Sequence, residues 1–393
     1  GSGIMTTENI EQPKTDFILS EEQMMLRDTA KQFFSEQVPI SNFRKLRDEE
    51  SADGIDREVW KQASELGLAG ILIPEAYGGT DFGITGMGLV MEEAGRTLAA
   101  TPLFSSSILS TLIMLEAASE NQKQSILPAI AAGEMIVAVA LEESGHHNPA
   151  AISLSAEKKD GGLVLNGRKT FVLDGHIADK LIIVARSNGQ KGDTNGLSLC
   201  LVDADAEGLK VSRSKMVDSR NSAEVTCENL TVSADMILGT TDDGAAPLES
   251  ALDQARILLS AEILGGVNEV FERTLEYLKE RKQFGVPIGS FQALRHRASA
   301  IFSEIEICKA VVTFALSQSD KKSNQIARLA SLTKARLGEA STLVSNEGLQ
   351  MHGGIGMTDD VDIGLFMKRA RVQLQLLGDP SFHRERYARL NGY

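Results

Sequence analysis

Near the end of the chain, residues 252–281, 292–319 and 325–350 carry apolar side chains at helical spacing over lengths that few soluble domains use. Helices this long must bury their apolar stripes against one another, so they predict an antiparallel bundle. The preceding chain does not share that pattern. From about 20 to 133 the spacing is helical but in shorter pieces. Ser20-Glu21-Glu22-Gln23 has the form of a capping box, with Met25, Leu26, Phe33 and Phe34 following at helical intervals. Pro102 and Pro128 punctuate two further helical pieces. Between about 135 and 239 the period becomes that of strands, at 135–141, 163–167, 180–185 and 197–202, separated by Gly, Asp and Asn turns. No long helical pattern intervenes there, so the strands are expected to run mostly antiparallel. The expected fold is α+β. It comprises an N-terminal helical domain (6–134), a middle antiparallel β domain (135–239) and a C-terminal long four-helix bundle (240–393).

A chain of 393 residues with 42% hydrophobic content can bury a large core. Its formal charge of −14 argues against nonspecific nucleic-acid binding. No run of 18 apolar residues occurs, so no membrane span is expected. Cys200, Cys227 and Cys308 are far apart and form no zinc-type spacing, which suits a reducing cytoplasm and predicts no metal. Neither HExxH nor GxSxG is present.

Several local motifs each have an ordinary structural reading. Arg281-Lys282-Gln283-Phe284-Gly285 can be a basic last helical turn with a glycine stop, or a guanidinium and an aromatic ring held ready for a diphosphate and a base. Gln292 and His296 share a helix face. Gln350-Met351-His352-Gly353-Gly354-Ile355-Gly356 can be a tight turn, or backbone amides opened to an anion. A dinucleotide fingerprint is disfavoured there, because no strand precedes the glycines. Lys368-Arg369-Ala370-Arg371 reads best as a solvated basic face, and Asp253 with Arg256 as a local i, i+3 ion pair.

Taken together, in this order and spacing, these motifs resemble the acyl-CoA dehydrogenase family from about Ser20 to Ala388. Pro74-Glu75-Ala76-Tyr77-Gly78-Gly79, Gly167-Arg168-Lys169 and Phe171-Val172-Leu173-Asp174 add to the likeness. The resemblance implies FAD at a subunit interface in a tetramer. Arg281 and Phe284 would hold its diphosphate and adenine parts. Gln292, Gln350, Gly353 and Gly354 would meet the FAD of a neighbouring subunit. Phe171 and Leu173 would lie against the isoalloxazine, and Leu141 and Glu142 on its pyrimidine side. Asp253 and Arg256 would touch the CoA part of an acyl-CoA substrate, and electrons would pass to an electron-transferring flavoprotein.

The family's base is a glutamate at one of two places, where this sequence has Leu377 and Ala255. Neither accepts a proton. Glu142 also stands where the family carries a threonine. The sequence therefore resembles a subunit of a heteromeric acyl-CoA dehydrogenase whose homologous partner supplies the glutamate. The alternatives are a self-sufficient homotetramer with a displaced base, for which Asp379 is the candidate, and a catalytically silent acyl-CoA-binding scaffold.

Overall fold

The computed structural model describes residues 18–281 and 288–393. Helices α1 (Glu21–Gln37), α2 (Ile40–Asp48), α3 (Arg57–Glu65), α4 (Gly83–Arg96), α5 (Thr111–Ala117) and α6 (Glu120–Ala131) come first. The capping box at Ser20 forms as expected, with Ser20 and Gln23 bonding reciprocally. Pro128 does not end a helix. It lies inside α6, where the helix tolerates its missing N–H.

A mixed sheet follows, of β1 (Val137–Ala140), β2 (Ser155–Lys159), β3 (Gly162–Lys169), β4 (Lys180–Arg186), β5 (Leu197–Asp203), β6 (Leu209–Lys215), β7 (Asn221–Val232) and β8 (Ile237–Leu238). Its main path runs β6-β7-β3-β2-β4-β5-β8, and β1 pairs with β4. Most pairs are antiparallel, but β1 runs parallel to β4 over Val137–Ala140. β2 touches the end of the same β4 edge at Arg186. The fully apolar run through β1 is the mark of a strand covered on both faces.

The C-terminal part contains α7 (Ala245–Arg281), α8 (Ile288–Asp320), α9 (Ile326–His352), α10 (Ile363–Gln375) and α11 (Pro380–Leu390). The three long helices have 37, 33 and 27 residues, while the fourth place in the bundle is taken by α10 with 13.

Two features join the three parts. First, α4 crosses α7 at backbone contact. A Cβ on Gly265 would sit 1.8 Å from Glu92 O, and one on Gly95 would sit 2.1 Å from Glu262 O. Gly265→Ala should therefore force the helices apart and cost about 2 kcal/mol or more, read as a lower thermal midpoint. A control such as Gly364→Ala, where nothing lies within 4 Å of an added Cβ, should not. Second, the buried segment Leu103–Ser110 is π-helical. Its hydroxyls face β1: Ser106 Oγ accepts from Val137 N at 3.0 Å, and Ser110 Oγ donates to Val137 O at 2.6 Å. A π turn often marks a functional place, and Leu109 of this one reaches the cavity described next.

Candidate active site

Where the three parts meet, a cavity of about 360 Å³ opens. One wall is the chain leaving β1, at Leu141 and Glu142. A second is the turn Phe171–Leu173. Lys215 to Val217 closes a third, and Arg371 to Leu377, in and after α10, a fourth. Sequence reading named Leu141, Glu142, Phe171 and Leu173 as flavin neighbours and Leu377 at a family base position, and the structure brings all five together around the cavity.

The Phe171 turn is strained. Phe171 and Asp174 both adopt positive φ, 50° and 56°, a region that costs a non-glycine residue about 1–3 kcal/mol. Surrounding bonds hold it there. Thr170 N donates to Glu142 O at 2.8 Å, and Val172 N to Ala223 O at 3.0 Å. Buried Asp174 accepts from Ser105 Oγ at 2.5 Å and Asn221 Nδ2 at 3.0 Å. The result is that Phe171 stands 46% exposed at the cavity edge, a placement that solvent alone would disfavour.

Lys169 anchors the same corner from below. Its buried ammonium donates to Leu141 O at 3.0 Å and to Glu143 Oε2 at 2.7 Å. Burial pushes the Glu143 carboxyl up, but Lys169 and the Ser153 bonds outweigh it and hold it below the usual range.

The opposite wall rests on Leu377, also at positive φ (55°). Its carbonyl accepts from Arg256 Nε at 3.0 Å and from His383 Nε2 at 2.8 Å. Lys334 donates to Leu374 O at 3.2 Å and to Gly378 O at 2.9 Å, tying down both sides of the turn. His383 Nδ1 lies 3.0 Å from Ser331 Oγ. Because Nε2–H serves Leu377 O, Nδ1 accepts from the serine. Burial, then Arg256 and Lys334, push the His383 imidazolium down to about 2 from an ordinary 6.5. Between those values the unfolded chain binds a proton that the folded chain refuses. Stability contributed here is complete above about pH 6.5 and falls as pH drops toward 2, by up to about 1.4 kcal/mol per pH unit. Urea midpoints of His383→Gln should consequently fall less steeply than the parent's between pH 6.5 and 4.5.

Arg256 and Asp253 form more than a local pair. Arg256 is wholly buried, and its guanidinium bonds Asp253 Oδ1 at 2.9 Å, Glu249 Oε1 at 3.3 Å, Leu377 O and His147 Nε2 at 2.9 Å. Asp253 in turn holds Arg386 at 2.8 and 2.9 Å. The pair stands behind His147, which lines both the cavity and a neighbouring groove of about 650 Å³ that includes Glu249, Arg386 and Arg389. The Asp379 carboxylate caps α11 by accepting from Phe382 N at 2.8 Å, and Asp379 is not among the cavity-lining residues.

The other sequence-named residues gather away from the cavity, at one end of the bundle. Gln350 accepts from Arg297 Nη2 at 2.9 Å, which places the end of α9 beside the start of α8, where Gln292 lies exposed. His352 stacks on Tyr277 at 4.5 Å, placing the same end beside the last turns of α7. Gly353 has φ 65° and ψ −147°, a conformation essentially restricted to glycine. Nothing lies within 4 Å of a Cβ placed on Gly354. Arg281 closes α7, while Phe284 lies outside the described residues.

The basic run is corrected by the structure. Arg369 is buried between Asp218 Oδ2 (3.0 Å) and Glu262 Oε1 (2.9 Å) rather than solvated, and Arg371 lines the cavity. Sequence reading also missed His147, Lys334 and His383 as parts of the site. Beside near neighbours such as Glu142 and Leu377, their partners Arg256, Ser331 and Gly378 are remote in the chain, and no local spacing signals them. Among the described residues no group of His, Cys, Asp and Glu could hold a metal ion, and no helix is long and apolar enough to cross a membrane.

A helical domain, a mixed sheet and a long-helix bundle meeting at one cavity define the architecture of a known enzyme class. Family models for the N-terminal, middle and C-terminal domains of acyl-CoA dehydrogenase match residues 20–134, 138–230 and 242–390. The mitochondrial isovaleryl-CoA dehydrogenase of Pongo abelii is 31% identical over 363 residues, covering 90% of this chain and 85% of that one. The structure of a variant of the steroid ACAD Tcur3481-Tcur3483 superposes with a TM-score of 0.84 at 29% identity, over 94% of this chain and 98% of that one. An acyl-CoA dehydrogenase from Geobacillus kaustophilus gives 0.88 at 25% identity, over 95% and 99%. The chain belongs to the acyl-CoA dehydrogenase family, and with it to the oxidoreductases that act on CH–CH bonds.

Proposed function

We propose that this chain is an FAD-dependent acyl-CoA dehydrogenase subunit, taking part in the α,β-desaturation of an acyl-CoA thioester to the 2-enoyl-CoA. In this reading it works in a heteromeric tetramer whose homologous partner supplies the catalytic glutamate. The observation that carries this is the wall at Leu377. Both family base positions hold residues without a titratable group, Leu377 and the fully buried Ala255, and Asp379 is engaged as a helix cap. The steroid relative is itself designated by two components.

The cofactor is FAD. The cavity suits a flat aromatic group, with the Phe171 ring on its edge and Leu141 and Leu173 on its walls. Arg281, Phe284, Gln292, Gln350, Gly353 and Gly354 would complete a dinucleotide site across a subunit interface, since the described residues among them, Gln292, Gln350, Gly353 and Gly354, lie apart from the cavity. When bound, FAD supplies the two-electron acceptor. This chain's residues orient the thioester, exclude water and place charge. The polar part of CoA would run along the groove beside His147, with Asp253 and Arg256 acting from behind that wall. Electrons would leave to an electron-transferring flavoprotein. The three free, buried cysteines suit a reducing cytoplasm.

One observation favours a second reading, a self-sufficient homotetramer: the Glu142 carboxylate lies on the cavity wall. A visible spectrum separates the two. Anaerobic addition of acyl-CoAs to the purified chain alone should leave any flavin absorbance unchanged, whereas the chain co-purified with its partner should bleach. Bleaching of the lone chain would overturn the heteromeric reading.

A further inference from the structure

The turn that follows α9 is poorly held by its own packing. From Gly353 to Asp360 only Gly356 is buried, and Ile355 and Met357 stand 42% and 76% exposed. Within the turn, Thr358 N and Oγ1 both donate to Ile355 O, at 3.1 and 2.8 Å. Those bonds shape the turn without fixing where it points. Its anchorage comes from the N-terminal domain. Arg47 on α2 holds Asp359 as a fork, Nη1 to Oδ1 at 3.1 Å and Nη2 to Oδ2 at 2.8 Å. Arg44, one turn earlier on α2, lies 3.1 Å from Asp359 Oδ2 and donates through Nε to Asp362 Oδ1 at 2.8 Å. Asp362 Oδ2 accepts from Arg273 Nη1 on α7 at 2.8 Å. Arg273 Nε and Arg96 Nη1, the latter on α4, share Glu269 at 3.0 and 3.1 Å.

An isolated surface pair contributes little, but a connected set with forked geometry contributes more. The Arg44 and Arg47 side chains are only 22% and 19% exposed, and Arg47 holds the Asp359 carboxyl below its usual value. Because the turn has so little other anchorage, these bonds act on its local opening rather than on global unfolding.

We propose that Arg44 and Arg47, through Asp359 and Asp362, position the Gly353–Gly354 turn for the cofactor, so that the N-terminal domain sets how firmly FAD is kept. This rests on the reading that Gln350, Gly353 and Gly354 meet FAD across a subunit interface. Neither arginine lines the cavity. Both are positioning residues that act through the two carboxylates.

Hydrogen exchange and flavin release test this together. In the purified chain, Arg44→Gln with Arg47→Gln should raise amide exchange at 353–358 by about 10-fold, with the thermal midpoint and the exchange of the sheet little changed. Asp359→Asn should do the same, and Asp359→Glu, which keeps the charge, should restore much of the protection. In the FAD-loaded assembly, release passes through the opened turn, so flavin fluorescence on dilution should show FAD leaving the double variant faster in proportion, by about 10-fold. Sodium chloride at about 1 M, where screening reaches contact range, should hasten release more from the parent than from the double variant. Unchanged exchange at 353–358 overturns the proposal at its first step, and raised exchange with unchanged FAD release overturns it at the second. Exchange raised evenly through the chain, with a large fall in thermal midpoint, marks a purely structural network and also overturns it. A parent assembly that keeps no FAD overturns the cofactor reading, and the proposal with it.

Discussion

Arg369→Met should destabilise the folded chain by about 3–5 kcal/mol, read as a large drop in the urea midpoint. Arg369 on α10 bonds Asp218, in the β6–β7 turn, and Glu262 on α7, and all three are buried. Burial works against its charge, and the two carboxylates more than offset that, holding the guanidinium above its usual value. Removing it strands two carboxylates away from water, which is far worse than losing a surface pair. Arg220, half-buried beside this cluster, donates to Ala99 O at 2.8 Å in the N-terminal domain, so loss of Arg369 should loosen all three domains together. Neutralising the trio at once, with Asp218→Asn and Glu262→Gln added to Arg369→Met, should recover much of the loss. If the triple variant is no more stable than the single one, the cost lies in packing and not in stranded charge.

Asp253→Asn should be nearly as damaging, by about 3 kcal/mol, and should also weaken binding of octanoyl-CoA in calorimetry. Asp253 is 4% exposed and bonds both Arg256 and Arg386, themselves 0% and 6% exposed. The asparagine keeps the shape but leaves two guanidinium ions facing Glu249 alone. Arg256 also holds Leu377 O and His147, so loosening it moves two walls of the cavity. Glu249→Gln provides the comparison. Its side chain is 41% exposed, and it should cost no more than about 1 kcal/mol. Equal losses from the two variants would mean that burial does not decide the strength of this network.

Much of this protein is legible without coordinates. The switch from helical to strand period and back marks three parts, because a side-chain period of 3.6 or 2 decides which face can be buried. The Ser20 box names its own helix start, because its bonds close within four residues. Leu141, Glu142, Phe171 and Leu173 are legible as a group only through family likeness. They come from two strand ends whose meeting depends on the order of strands in the sheet.

The sequence by itself also determined what the Leu377 wall lacks, since no folding can give a leucine side chain a titratable group. It could not show that Asp379 stands off the cavity while capping α11, that Arg369 is buried or that His147 joins Glu142 to Arg256. Those outcomes depend on partners such as Asp218 and Glu262, more than a hundred residues away along the chain from Arg369. Whether a charge is solvated, paired or stranded depends on what surrounds it. Only the docking of α7 and α10 on the sheet supplies those surroundings.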